Sequence, residues 1–313
     1  MKKKFCVGLT YGDPSGVGPE ILLKTLRNWK KSKFKLTPVV IGLKEILINS
    51  KNKIRKPTGF SGLHSYKCLY EAITLAKNRS LKAVITCPVS KLAINKAGID
   101  FSGQTEEIAK ICSINPNKVI MMFAAKDLKI ALFTRHIPLK EVSFKLSKLK
   151  LKKFILLLNK ELKKWFKIQK PKIAVLGLNP HSGEGGIFGD EERKIITPVI
   201  KELISRGFKI YGPLSPDATL AKAGQDYLRN YKQSYDAYVS FYHDQSLPMF
   251  KAVCGMTGVN VTLGLPFIRV SPDHGTAFDI AGTGRASNES LVSAIKLLEE
   301  LLYTKTFRSG ICL

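Results

Sequence analysis

The chain has 313 residues, 44% hydrophobic and 24% charged, enough apolar mass for two domains each with its own core. No apolar run approaches the roughly 20 residues that a membrane-spanning helix needs, which argues against a membrane protein. The formal charge of +27 brings nucleic-acid binding into view, but the excess is largely Lys, spread along the chain and lacking the planar fork that reads base edges. Such a field speeds encounter with a small anion equally well.

In chain order, Lys2, Lys3 and Lys4 imitate the start of a secretion signal, but Asp13 and Pro14 cut the apolar stretch behind them short. Residues 5–9 therefore read as a first strand, and the protein as cytoplasmic. Further short apolar, β-branched runs predict strands at 38–41, 83–85, 119–123, 130–133, 173–176, 237–241 and 259–263. Amphipathic stretches between them predict helices at 20–29, 66–76, 106–112, 191–204 and 290–302. The most basic segment, 145–172, carries Leu146, Leu149, Leu151, Phe154, Ile155, Leu158, Leu162 and Trp165 at helical intervals, an amphipathic helix with a solvated Lys face. Strands alternating with helices make this an α/β protein with a mainly parallel sheet. The six cysteines form no CxxC pair and read as free thiols in a reducing compartment.

Polar clusters follow the strand-like runs: GDPSGVGPE, CPVSK, TRHIPL, GLNPHSGEGG, YHDQ and GLPFIRVSPDHGTA. Ligands of open α/β sheets bind beyond the carboxyl ends of strands, so these clusters are expected to form one rim. A single histidine more often packs than ligates. His136, His181 and His243 lie in three separate clusters, however, and three imidazoles with an open position suit a catalytic divalent ion. Gly16 and Gly18 occupy a strand-to-helix turn that either offers amides to an anion or is simply tight. Arg269 has the chemistry to hold a phosphate or carboxylate bidentately, and Lys251 reads either as a second anion contact or as a surface charge.

Taken in order, GDPSGVGPE, CPVSK, GQTEE, TRHIPL, LNPHSGEGGIFGDEE, YHDQSLPMFK and VNVTLGLPFIRVSPDHGTAFDIAG resemble the 4-hydroxythreonine-4-phosphate dehydrogenases of vitamin B6 synthesis across nearly the whole chain. The resemblance implies two α/β/α domains of the isocitrate/isopropylmalate dehydrogenase type, residues 1–103 plus 272–313 forming one and 104–271 the other. The second would carry the metal ligands and the interface of a homodimer whose active site is shared between subunits. It implies a divalent metal (Zn, Mg, Co or Mn) on His136, His181 and His243, and substrate contacts from Gln104, Thr105, Lys251, Asn260 and Arg269. NAD, or NADP, would meet His274, Gly275 and Thr276, because the DHGTA block is similar to the adenosine loop of isopropylmalate dehydrogenases.

The implied reaction oxidises the secondary hydroxyl of 4-phosphohydroxy-L-threonine and then releases carbon dioxide, giving 3-amino-2-oxopropyl phosphate for pyridoxal phosphate synthesis. Asp244 and Lys91 are both candidates for the base. The family usually has His where this chain has Gln104, and Gln104 hydrogen-bonds but carries no charge and shuttles no proton. D-threonate and D-erythronate 4-phosphate, with a hydroxyl in place of the amine, therefore stand as alternative substrates. A phosphate acyltransferase has the same general fold but no need of three strand-end histidines.

Overall fold

The computed structural model describes residues 4–44 and 55–303. Ten strands form one sheet: β1 (Cys6–Thr10), β2 (Thr37–Ile41), β3 (Ala83–Thr86), β4 (Ile120–Ala125), β5 (Leu128–Leu132), β6 (Ile173–Leu176), β7 (Ile210–Leu214), β8 (Ala237–Ser240), β9 (Val259–Leu263) and β10 (Ile268–Pro272). Their spatial order is β2-β1-β3-β10-β9-β4-β5-β8-β6-β7. The strands β2, β1, β3 and β10 are mutually parallel, as are β5, β8, β6 and β7. Between the two groups, β10–β9, β9–β4 and β4–β5 pair antiparallel. The two parallel halves therefore run in opposite directions.

That reversal corrects the expectation of a single rim. The loops after β1, β3 and β10 leave one edge of the sheet, and those after β5, β8, β6 and β9 leave the opposite edge. The central antiparallel strands are where the two sets meet, over a face of the sheet. One ten-stranded sheet also runs through both of the expected domains.

Two strands escape the apolar-run criterion. The edge strand β7 reads IYGPL, and Gly and Pro argue against a strand except at an edge, where a missing donor is harmless. The interior strand β10 reads IRVSP, broken by a buried Arg. Helices Lys91–Lys96, Pro216–Leu228 and His243–Cys254 also go unforeseen, and the expected 191–204 helix begins as a π turn, Glu192–Ile196, before Thr197–Ser205.

The Lys-rich segment forms the helix Lys148–Phe166, capped by the Ser147 side chain. It buries Leu151, Ile155, Leu158 and Leu162 and leaves Leu149 60% exposed. Each buried leucine contributes about 1.5–3 kcal/mol, which seats the helix while its lysines stay in water. Cys6 is exposed, Cys68, Cys87, Cys112 and Cys254 are buried, and all five are free. No helix among the described residues is long and apolar enough to cross a membrane.

Candidate active site

The central strands lay a polar row into an otherwise apolar face. Register puts Arg269 of β10 opposite Thr262 of β9, which faces Met121 of β4, while Ser271, Asn260 and Phe123 make the next row. Of these, Arg269, Met121, Ser271, Asn260 and Phe123 line a cleft of about 280 Å³. Lys91, Gln104, Thr105 and Glu106 line it too, as do His136 and, from helix His243–Cys254, His243 and Lys251. His274 and Gly275 also line it.

Arg269 is 2% exposed. Its Nε donates to Thr86 Oγ1 at 3.0 Å, Nη1 to Thr262 Oγ1 at 3.1 Å and Nη2 to Gln104 Oε1 at 2.9 Å. None of these acceptors is charged. Burial pushes its pKa down to about 9, opposed by the more distant Glu106, so the guanidinium remains a cation at neutral pH. A buried cation held only by neutral oxygens is costly alone and is matched by an anion entering the cleft. The Asn260 Oδ1 and His274 Nε2 atoms are buried without hydrogen-bond partners. Such orphaned polar atoms in a cleft wall suit ligand groups. Lys251 Nζ donates to the Oδ1 and the carbonyl of Asp273, at 3.0 and 3.1 Å, and so is tethered rather than a loose surface charge.

The histidines follow from strand order. β5 and β8 are parallel neighbours, and the hydrogen bonds Phe133 N to Ser240 O and Thr134 Oγ1 to Phe241 O extend the pairing past their ends. His136 and His243 thereby come side by side, ring centroids 5.6 Å apart. His136 takes a left-handed φ of 44°, uncommon for a side-chain-bearing residue and typical of functional sites. Its outer edge meets solvent, but desolvation of the inner part, then the charge of Lys91 and the His243 ring, lowers its pKa and favours the neutral ring that a metal requires. His243 Nδ1 lies 2.6 Å from Asp244 Oδ1, which leaves Nε2 as the ring nitrogen not engaged by that carboxylate. Asp244 does not line the cleft, whereas Lys91 does.

His181 is not brought to the other two. β6 lies next to β8, so its strand end is adjacent, yet residues 181–185 all take left-handed φ values and carry the ring outward. It lies 3.4 Å from Glu184, beside Phe188, and is 64% exposed. Among the described residues no three His, Cys, Asp or Glu side chains of this chain gather as a metal site. Of the three expected histidines, two line the cleft and one is displayed on the surface.

The GDPSGVGPE turn is tight, not an anion cradle. Its amides are spent: Ser15 N on Asp13 Oδ1, Gly16 N on Asp13 O, and Val17 N on Thr276 O. A Cβ on Gly16 would come within 2.8 Å of Thr276 O, and one on Gly18 within 1.9 Å of Tyr11 O. These glycines let one loop back the DHGTA loop, which fixes Thr276 behind the cleft and leaves His274 and Gly275 at its wall.

The pyridoxal phosphate biosynthetic protein PdxA family model matches residues 10–298. A 4-hydroxythreonine-4-phosphate dehydrogenase from Sulfurihydrogenibium sp. is 38% identical, over 93% of this chain and 96% of its own. This chain belongs to that family. The enzyme of the same name from Klebsiella pneumoniae superposes with a TM-score of 0.79 at 29% identity, covering 94% of this chain and 97% of its own. The isocitrate dehydrogenase of Methylococcus capsulatus, 11% identical with a TM-score of 0.51, shares the fold.

Several residues serve this family site without having announced themselves in the sequence. Thr86 and Thr262 hold Arg269, and Arg135 pairs with Glu106, its Nε 3.2 Å from Oε1. Gln245 of the YHDQ block accepts from Phe241 N and donates to Gly177 O, joining two histidine loops. Glu192 of the GDEE block accepts from the amides of Leu178 and Asn179 and anchors the His181 loop. A Glu immediately after a Gly-rich loop was the available signal, since a loop short of internal partners needs an outside acceptor for its amides.

Proposed function

We propose that this protein oxidises 4-phosphohydroxy-L-threonine at its secondary hydroxyl with NAD and decarboxylates the product to 3-amino-2-oxopropyl phosphate, as a cytoplasmic homodimer. The observation that carries the reading is Arg269, a buried guanidinium among neutral acceptors that lines the same cleft as a pair of imidazoles. In this reading Arg269 takes the phosphate, assisted by Gln104 and Thr105. Fixing that remote group orients the reacting carbon. Asn260 offers its unpaired Oδ1 to a substrate hydroxyl or amine, and Lys251, held by Asp273, faces the carboxylate. Lys91, which lines the cleft together with His136 where Asp244 does not, is the better placed of the two candidate bases.

The neutral His136 and the Nε2 of His243 suit a divalent ion, with His181 of a second subunit completing the set. A metal held there supplies Lewis acidity to both the oxidation and the loss of carbon dioxide. For the nucleotide, the unpaired His274 Nε2 and the open space beside Gly275 suit a cofactor at the DHGTA end of the cleft. The exposed apolar residues Leu139, Phe144, Ile187 and Phe188 flank the His136 and His181 loops and fit burial in a dimer interface.

The deciding experiment follows NAD and NADP reduction with 4-phosphohydroxythreonine, D-threonate 4-phosphate and D-erythronate 4-phosphate, before and after chelation. Turnover of the amino acid with NAD, lost with chelator and restored by a divalent ion, is expected. Preference for a sugar-acid phosphate, or full activity in metal-free protein, overturns the reading at that point.

Gln104 is the residue to change first for specificity. Its Oε1 accepts from Arg269 and its Nε2 approaches Cys87 O at 3.4 Å, so it is a contact and not filler. Gln104→His should shift the ratio of kcat/KM among the three substrates by about 10-fold, as expected for one polar contact to a charged group, while Tm stays near the parent's. Identical ratios in parent and variant would remove Gln104 from the substrate contacts.

A further inference from the structure

Arg269 and Glu106 line the same cleft, and a second arginine, Arg135, stands against Glu106. Arg269 lies buried on Thr86, Thr262 and Gln104. Glu106 stands on the same first helical turn as Gln104 and lines the same cleft. Left to Coulomb's law, a carboxylate there would settle on the buried cation, where attraction is strongest because water is least able to screen it. It does not: its Oε1 lies 3.2 Å from Arg135 Nε.

Arg135 is built to hold that acid. It is only 15% exposed and is itself pinned, with Nη1 donating to Val119 O at 2.7 Å and Nη2 to Pro116 O at 3.3 Å. With two of its five N–H groups anchored on carbonyls, the planar guanidinium is fixed in orientation and its Nε–H is directed toward Glu106.

We propose that Arg135 is a positioning residue that draws Glu106 away from Arg269, keeping the buried guanidinium open to the anionic end of the substrate. Without Arg135, Glu106 becomes an internal competitor that occupies Arg269 in place of phosphate. The inference rests on the proposed role of Arg269, deepening it by naming what keeps that site vacant of protein charge.

A purely structural role for Arg135, anchoring the 116–119 segment and the His136 backbone, makes a different forecast, so the variants discriminate. Arg135→Met should raise KM for 4-phosphohydroxythreonine by about 10- to 100-fold, the size of one charge-assisted contact, with NAD affinity unchanged and kcat much less affected. Adding Glu106→Gln to Arg135→Met removes the competitor and should recover most of the lost affinity. Arg135→Lys, which keeps a cation but not the fork, should stay within a few-fold of the parent.

Inorganic phosphate, titrated calorimetrically into the same holoenzyme variants, should rank them in the same order. This readout also separates the two readings: if the parent turns over none of the candidate substrates, the proposed function fails and phosphate binding alone judges Arg135. A double variant as impaired as Arg135→Met, or a fall in kcat equal to the rise in KM, would overturn the proposal in favour of backbone anchoring. So would a parent protein that binds no phosphate.

Discussion

His136→Ala, His181→Ala and His243→Ala are each expected to be nearly inactive as pure proteins, and only some mixtures of them should recover. His136 and His243 stand together in one chain, while His181 is turned outward beside Glu184 and Phe188. Metal nitrogens must come within about 2.0–2.1 Å of the ion, so in a shared site the first two ligands belong to one subunit and the third to its partner. Mixing His136→Ala with His181→Ala then places both lesions in one site of the mixed dimer and leaves the other intact. Random pairing makes half the dimers mixed, each with one good site, which gives up to about a quarter of full activity. His243→Ala mixed with His181→Ala should behave likewise. His136→Ala mixed with His243→Ala should recover nothing, because every site then lacks a ligand from its own cleft. Recovery in that last mixture, or none in the first two despite demonstrated subunit exchange, rejects the assignment.

Arg269→Met should raise KM for the phosphorylated substrate by roughly 10- to 100-fold, the loss of about 1.5–3 kcal/mol from a charge-assisted hydrogen bond. The dissociation constant for NAD should move less than about twofold, since Arg269 is held by Thr86, Thr262 and Gln104 and not by the DHGTA loop. Stability should change little in net terms. Met fills a similar volume and removes a buried cation that only neutral oxygens support, while four hydrogen bonds to Thr86, Thr262 and Gln104 are lost. Arg269→Lys keeps the charge without the planar fork and should fall between parent and Met variant. Steady-state kinetics beside a direct NAD titration and a thermal melt decide the matter. Equal losses for substrate and NAD would mean that Arg269 serves the cofactor or the fold.

Much of this was written locally. The alternation of β-branched runs with amphipathic stretches identified an α/β sheet, and eight of the strands lie close to where their apolar residues indicate, because a strand buried on both faces needs nothing else. The Lys-rich helix 148–166 was readable for the same reason: its buried leucines recur at helical spacing. The motif blocks likewise carried the family, since their residues are contiguous in the chain.

Strand direction and order were not readable, because they depend on which elements cross over and not on any one segment. The reversal at β9 and β4 moved the site from a rim onto a face, and it set the consecutive strands β9 and β10, with Arg269, Thr262, Asn260 and Ser271, between β4 and β3, which lie far away in sequence. Arg269 itself hid β10, since a charge inside a strand reads as surface until polar partners surround it, here Thr262 of the preceding strand and Thr86 and Gln104 from distant segments. The glycines of GDPSGVGPE look the same whether they serve an anion or a neighbouring loop, and only the approach of Thr276 decided between them. A site shared between subunits was implied by the family resemblance, but which histidine stands apart was equally invisible: a run of left-handed residues turns the His181 loop outward, and backbone handedness of that kind is set by contacts from elsewhere in the fold.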